Sequence, residues 1–252
     1  MTSVCALFWI EKLGKLVMSL KDTLPPSTEK AAVVRAMFDR IAPRYDLLNR
    51  LLSLSLDQRW RRMTIRAAAI SATDTVVDLA CGTGDLSELA TATGAYVVGI
   101  DFSANMLAGA RRREVRAAFI QADANRLPLP DAWATVMISG FALRNFASIP
   151  AVLAEATRVL KPDGRLVFLE IDTPQNRLFR WGHRLYFQRL VPTFGALFSD
   201  PRAYAYLPHS LSYLPGQSEL QQMIEAAGFY QVTKRQLSGG VAQLITTVRK
   251  PG

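Results

Sequence analysis

The segment Val76-Val77-Asp78-Leu79-Ala80-Cys81-Gly82-Thr83-Gly84-Asp85 runs from a valine-rich apolar stretch into a loop of small residues. Lacking a Cβ, Gly82 and Gly84 let the backbone approach a ligand closely. A helix opening near Asp85 would present free N–H groups. In dinucleotide sites such groups hold a pyrophosphate. Here, however, Ser87 stands where the third glycine of G-x-G-x-x-G belongs. Asp78 and Asp85 also place negative charge at the loop, which repels a pyrophosphate and suits a cationic sulfonium with an amino-acid tail. The loop therefore points to S-adenosyl-L-methionine rather than NAD, with Asp78, Gly82, Thr83 and Gly84 as contacts. Asp101 follows Gly82 by 19 residues, an offset at which a carboxylate accepts ribose hydroxyls. Capping the next helix is the other duty open to it, since Ser103 is close. Asp123-Ala124 offers an acid for the adenine amino group and a small neighbour that lets the ring lie flat. A plain turn aspartate is the alternative there.

Positioning these residues takes an alternation of strands and helices. Apolar runs at Thr75–Leu79, Tyr96–Ile100, Ala118–Ile120, Val136–Ser139 and Arg165–Glu170 read as buried parallel strands. Helical stretches such as Ser103–Arg113 and Ile149–Leu160 lie between them. This is the pattern of an α/β, doubly wound, mostly parallel sheet. Tyr230–Gln236 and Val241–Val248 flank Ser238-Gly239-Gly240 and predict a closing antiparallel hairpin, the addition made by a Rossmann-like methyltransferase. Upstream, Phe38, Ile41, Tyr45, Leu48 and Leu52 form one helical stripe, and Trp60, Met63 and Ala67 another after a break at Ser53–Asp57.

The domain reading is an N-terminal extension at 1–27 and a methyltransferase domain at 28–252, with a lid inserted at 175–215. Nine of the 23 aromatic residues fall in that insertion. Arg177, Arg180 and Arg184 share a helical stripe there. Apolar side chains could cover a greasy acceptor while arginines face anionic headgroups; an ordinary helical cap is the plainer reading. Residues 71–175 carry nine basic and twelve acidic side chains, whereas 1–70 and 176–252 are each net +6. No compact basic patch interleaved with aromatics suggests a nucleic-acid module. No apolar run approaches the roughly 18–20 residues needed to span a bilayer. Cys5 and Cys81 make no metal or redox spacing, and His183 and His209 belong to no metal-ligand pattern, so no metal is expected. The first 17 residues are expected to be dispensable, because Met18 opens a segment that would serve as a start in its own right.

Three separated motifs carry a resemblance. Phe38-Asp39-Arg40-Ile41-Ala42-Pro43-Arg44-Tyr45-Asp46-Leu47-Leu48-Asn49 resembles the N-terminal signature of the ubiquinone/menaquinone C-methyltransferases, the UbiE/MenG family. Leu79–Leu86 resembles that family's donor loop, and Phe141-Ala142-Leu143-Arg144-Asn145 its F-G-x-R-N signature. The similarity runs from about Glu29 to Val248. Three departures lie toward the acceptor side. Ser53-Leu54-Ser55-Leu56-Asp57 lacks the Gly and His of S-x-G-x-H, Ala142 replaces a Gly, and Glu170-Ile171-Asp172-Thr173-Pro174 replaces E-F-S-K-P.

The resemblance implies methyl transfer from S-adenosyl-L-methionine to a ring carbon of a prenylated quinol, most simply demethylmenaquinol. Sparse, unpaired cysteines fit a cytoplasmic enzyme, the basic flanks and the arginine stripe are open to peripheral contact with the inner membrane face, and a homodimer is compatible with the sequence. Arg144 is the candidate for stabilising the quinol's developing charge, a structural salt bridge being its alternative. Asn145, Tyr45 and Tyr206 are candidates for orienting the quinol oxygens, with core packing equally open to the tyrosines. Methylation of another prenylated or aromatic natural product, or a non-catalytic donor-binding partner in a quinone-biosynthesis assembly, are the competing readings.

Overall fold

The computed structural model describes residues 27–176, 180 and 210–251. The N-terminal extension before Ser27, most of the inserted lid, and Tyr206 lie outside the described residues. Helices α1 (Ser27–Ile41), α2 (Tyr45–Leu52) and α3 (Leu56–Ala67) precede the sheet. The remaining elements are β1 (Thr75–Leu79), α4 (Asp85–Thr91), β2 (Tyr96–Asp101), α5 (Ala104–Arg111), β3 (Ala118–Gln121), β4 (Ala134–Gly140), α6 (Ile149–Val159), β5 (Leu160–Ile171), α7 (Gln217–Ala226), β6 (Phe229–Leu237) and β7 (Ala242–Arg249).

Among the described residues the sheet has seven strands in the order β3-β2-β1-β4-β5-β7-β6. The pairs from β3 to β5 are parallel, and β7 is antiparallel to both β5 and β6. Strand direction and side-chain alternation divide the core into two layers. Val77, Leu79, Val98, Ile100 and Met137 face α6 and α7 through Leu153, Ala156, Leu220 and Ile224. Val76, Val97, Val136 and Ile138 face α3 and α4 through Trp60, Ala68, Leu86 and Ala90. Both faces of the central strands are covered, which is why their sequences are continuous apolar runs rather than alternating ones.

The chain leaves β1 toward β2 on one side and reaches β4 on the other, so the order reverses at β1. Ligands of open α/β sheets bind at such a switch point, outside the carboxyl ends of the strands. Asp78, Asp101, Gly140 and Glu170 all stand at those ends.

Two expectations need correction. The stripe from Phe38 to Leu52 is not one helix. Pro43 sits in a 3₁₀ turn, Ala42–Arg44, that separates α1 from α2, as its missing N–H and fixed φ require. The apolar side survives the break, since Met37, Ile41 and Leu48 bury against Met106 with Phe38, Tyr45 and Leu52 beside them. On α3 the buried side chains are Asp57, Trp60, Arg61 and Thr64. Met63 and Ala67 are only half-buried, so the inward stripe is rotated and carries charge.

Candidate active site

Beyond Leu79 the chain turns through Ala80, Gly82 and Gly84 at φ 55°, 56° and 85° before entering α4. A Cβ on Gly82 would meet nothing within 4 Å, so this residue borders open space. A Cβ on Gly84 would stand 3.3 Å from both Ala110 and Phe119. Gly82 therefore forms the wall of a cradle, while Gly84 combines a left-handed φ with a close approach to α5 and β3.

Two adjoining cavities share this loop. The larger encloses about 790 Å³ including its open mouth, and is lined by Gly82, Asp101, Phe102, Asp123, Ala124 and Asn125 on one side. Phe38, Tyr45, Phe141, Asn145 and Phe146 line the other side. The smaller, of about 290 Å³ on the same measure, is lined by Asp78, Cys81, Thr83, Asp85 and Arg61. Tyr45, Ala80, Gly82 and Gly140 border both. The combined cleft is in the size range of small-molecule sites.

Asp101 is buried at the end of β2. Its Oδ2 accepts the Gly82 N–H at 2.8 Å and its Oδ1 the Ser103 N–H at 2.9 Å. Ser103, not Asp101, caps α5, accepting from the Met106 N–H at 3.1 Å. Burial pushes the Asp101 carboxyl up to about 6, although both N–H groups favour its charged form. Asp123 is exposed and lines the cleft; its Oδ1 accepts the Asn125 N–H at 2.9 Å, forming a local turn. Ala124 lies beside it in the wall.

Asp78 is completely buried. Its Oδ2 accepts from Ser87 Oγ at 2.6 Å, and its Oδ1 has no hydrogen-bond partner. Burial pushes this carboxyl up to about 7. Asp85 behaves differently from the sequence-based expectation. Arg113 Nη1 lies 2.5 Å from it, Arg61 Nε 3.4 Å and Arg50 Nη2 3.9 Å. Burial pushes its pKa up, but the Arg61 and Arg113 charges outweigh that, so the result is below the usual carboxylate range. Its charge is spent on arginines from three parts of the chain, and Asp78 remains as the loop's uncompensated acid.

The N-terminal signature residues clamp the loop. Thr83 Oγ1 donates to Asp46 at 2.5 Å, tying α2 to the turn. Ser103 Oγ donates to Asp39 at 2.5 Å, and Asn105 Nδ2 to the Asp39 carbonyl at 3.0 Å, tying α1 to α5. The sequence reading singled out neither acid within that motif.

Arg144 lies in a 3₁₀ turn, Leu143–Asn145, after β4. It is buried and forms an ion pair with Glu170, which is fully buried. Its Nε donates to Ser210 Oγ at 3.0 Å and its Nη1 to the Phe141 carbonyl at 2.9 Å. Asn145 Nδ2 donates to the same carbonyl at 3.3 Å and its side chain lines the cleft. Tyr45 packs edge-on against Phe38 at 6.0 Å between centroids. Desolvation raises the Tyr45 phenol above its usual pKa, while the charges of Arg61 and Arg144 and an Asn49 hydrogen bond pull the other way.

The residues present fit an adenosine ligand with a charged tail. The cleft offers two acids at strand ends, an open glycine cradle, and a buried carboxylate oxygen without a partner. Comparison with known proteins agrees. The model of the ubiE/COQ5 methyltransferase family matches residues 26–249. The chain is 46% identical over 215 residues to a demethylmenaquinone methyltransferase of Thermus thermophilus, covering 82% of this chain and 97% of that protein. It is 43% identical over 225 residues to a ubiquinone/menaquinone biosynthesis C-methyltransferase UbiE of Syntrophotalea carbinolica, covering 86% and 95%. Among solved structures, a SAM-dependent methyltransferase from Aquifex aeolicus superposes with a TM-score of 0.53 at 15% identity, covering 73% of this chain and 85% of that one, and speaks to the fold alone. The chain belongs to the ubiE/COQ5 methyltransferase family and is an S-adenosyl-L-methionine-dependent methyltransferase.

Proposed function

We propose that this enzyme methylates a ring carbon of a prenylated quinol, with demethylmenaquinol as the preferred acceptor. The observation that carries the reading is near full-length similarity to relatives named for that reaction, 46% identical in one case. The cleft supports it. Phe38, Tyr45, Phe141 and Phe146 line it, an apolar aromatic frame suited to a quinol ring.

The donor is held by Asp101 at the ribose, by Asp123 and Ala124 at the adenine, and by Gly82, Thr83, Gly84 and Asp78 along the loop. When bound, it supplies an activated methyl group. The protein's own task is positioning and charge. The ring carbon must be held about 3–3.5 Å from that methyl, in line and away from water. Loss of a quinol hydroxyl proton makes the neighbouring carbon nucleophilic. Burial keeps the Tyr45 phenol protonated, so it donates a hydrogen bond to a quinol oxyanion rather than competing with it. The Arg144 charge reaches Tyr45 through space and favours that oxyanion from behind the cleft wall. Asn145 and Tyr206 orient the quinol oxygens. No helix among the described residues is long and apolar enough to cross a membrane. The net-basic flanks support a working position at an anionic membrane surface on the cytoplasmic side, where a prenylated acceptor resides.

The reading is tested with an acceptor panel. The kcat/KM for demethylmenaquinol is expected to exceed that for the matching demethylated benzoquinol and for prenylated phenols by about tenfold, near 1.4 kcal/mol of barrier. Methylation of an unprenylated aromatic in preference to every quinol would transfer the enzyme to another natural product. Donor binding without turnover on any acceptor would make it a silent partner.

Donor binding should also depend on pH. Only the ionised Asp101 accepts two ribose hydroxyls, and its carboxyl is pushed up to about 6. On this carboxyl's account affinity for S-adenosylhomocysteine should weaken about tenfold between pH 7 and pH 5, and Asp78, pushed up to about 7, should extend the loss upward through pH 7. The stability of the unliganded protein runs oppositely. Asp78 and Asp101 have folded values near 7 and 6, above the ordinary 3.8. Their contribution is full below about pH 4 and is lost as pH rises through 6 to 7. Melting temperature with and without ligand, scanned from pH 5 to 8, should show a ligand-induced gain that grows with pH. A constant gain would remove Asp101 from the ribose site.

A further inference from the structure

Arg61 is a buried cation to which the reading above gives no task beyond its charge at Asp85 and Tyr45. Its side chain is 6% exposed, and its Nε has no hydrogen-bond partner. Asp85 and Asp57 lie 3.4 and 3.7 Å from that Nε. Asp57 is itself held by Ser53 Oγ at 2.7 Å, so the two acids fix the stem side of the guanidinium without satisfying it. The planar head lies 5.3 Å over the Phe141 ring. Nη1 stands 3.5 Å from where a Cβ on Gly140 would be. The tip therefore faces the C-terminal end of β4, where Gly140 borders both cavities. Buried guanidinium groups normally use their five N–H donors; none of Arg61's is hydrogen-bonded to a described residue.

The position along the cleft names the missing acceptor. Asp101 and Asp123 line the larger cavity and mark the nucleoside end. Arg61 and Asp78 line the smaller cavity, on the far side of Gly82. A nucleoside ligand with an amino-acid tail, laid over Gly82, brings its tail to these two residues. Asp78 Oδ1 has no partner either, so the smaller cavity holds a guanidinium whose N–H donors are not hydrogen-bonded to a described residue and a carboxylate oxygen without a partner. That is the complement of a zwitterionic α-amino acid. We infer that Arg61 anchors the carboxylate of the donor's amino-acid tail through a charge-assisted, two-pronged pair, with Asp78 taking the ammonium group. The inference rests on the donor occupying this cleft as proposed.

A ligand pair isolates the claim. S-adenosylhomocysteine carries the carboxylate, and its decarboxylated analogue S-adenosyl-3-thiopropylamine lacks only that group. Calorimetry on the unaltered enzyme is expected to show a preference for S-adenosylhomocysteine of about 30-fold, as for a buried charged pair. Arg61→Met should cut that preference to within about threefold while leaving affinity for the analogue within about twofold. Arg61→Lys, which keeps the charge but not the fork, should retain an intermediate preference. Equal weakening of both ligands in Arg61→Met, or an unchanged preference, would overturn the assignment. Should Arg61→Met fail to fold, an unchanged preference in Arg61→Lys would do the same. Failure of the unaltered enzyme to bind S-adenosylhomocysteine would instead overturn the placement of the donor, and this inference with it.

Discussion

Arg144→Ala is expected to lower the melting temperature by on the order of 10 °C and to reduce turnover by more than about tenfold. Glu170 is fully buried, pairs with Arg144, and accepts the Ile171 N–H at 2.8 Å and the Arg144 N–H at 3.1 Å. Removing the guanidinium leaves that carboxylate uncompensated, which costs roughly 3–5 kcal/mol in comparable pairs. It also frees the Phe141 carbonyl, which Arg144 and Asn145 both hold, and with it the turn that frames the acceptor side. Support and electrostatics are separable. Adding Glu170→Gln to Arg144→Ala removes the orphaned charge and should restore most of the melting temperature. If turnover at saturating substrates stays low, Arg144 acts on the reaction. If turnover recovers along with stability, Arg144 is only a strut and the account of the acceptor site is wrong.

Asp101→Ala should weaken S-adenosylhomocysteine binding by about 10- to 100-fold, because hydrogen bonds to a charged acceptor are worth roughly 1.5–3 kcal/mol. Part of the loss is indirect. The same carboxylate accepts the Gly82 and Ser103 N–H groups, so it shapes the donor loop as well as facing the ligand. Asp101→Asn keeps one acceptor and turns the other into a donor opposed to a backbone N–H. It should therefore bind no better than Asp101→Ala. Calorimetry at pH 8 measures both, and an affinity within about twofold of the unaltered enzyme would leave the ribose without its acceptor.

The donor half of this site is legible in the sequence for a physical reason. A valine run, a left-handed turn and a helix start must be contiguous in the chain, so Asp78, Gly82 and Gly84 announce themselves locally. Asp101 follows from the repeat length of one strand–helix unit. Charge compensation is not local. Asp85 reads as a free acid until α2, α3 and the turn after α5 bring Arg50, Arg61 and Arg113 to it. Arg61 is hidden by its neighbours Arg59, Arg62 and Arg66, which point outward. Spacing alone held the clue, because Asp57, Trp60, Arg61 and Thr64 share one helical stripe. The Pro43 break between α1 and α2 was equally visible, since proline cannot continue a helix interior. The departure at Ser55 runs against the local backbone. Ser55 sits at φ 60°, a conformation that glycine enters without strain.

The most direct test of the central claim is product analysis. The purified enzyme is supplied with S-adenosyl-L-methionine labelled in its methyl group and with reduced demethylmenaquinol in detergent. The predicted result is label in the lipid extract, located by NMR on the quinol ring carbon, with one S-adenosylhomocysteine formed per methyl transferred. Label on a quinol oxygen, or no label in the lipid while S-adenosylhomocysteine still binds the cleft, would contradict it.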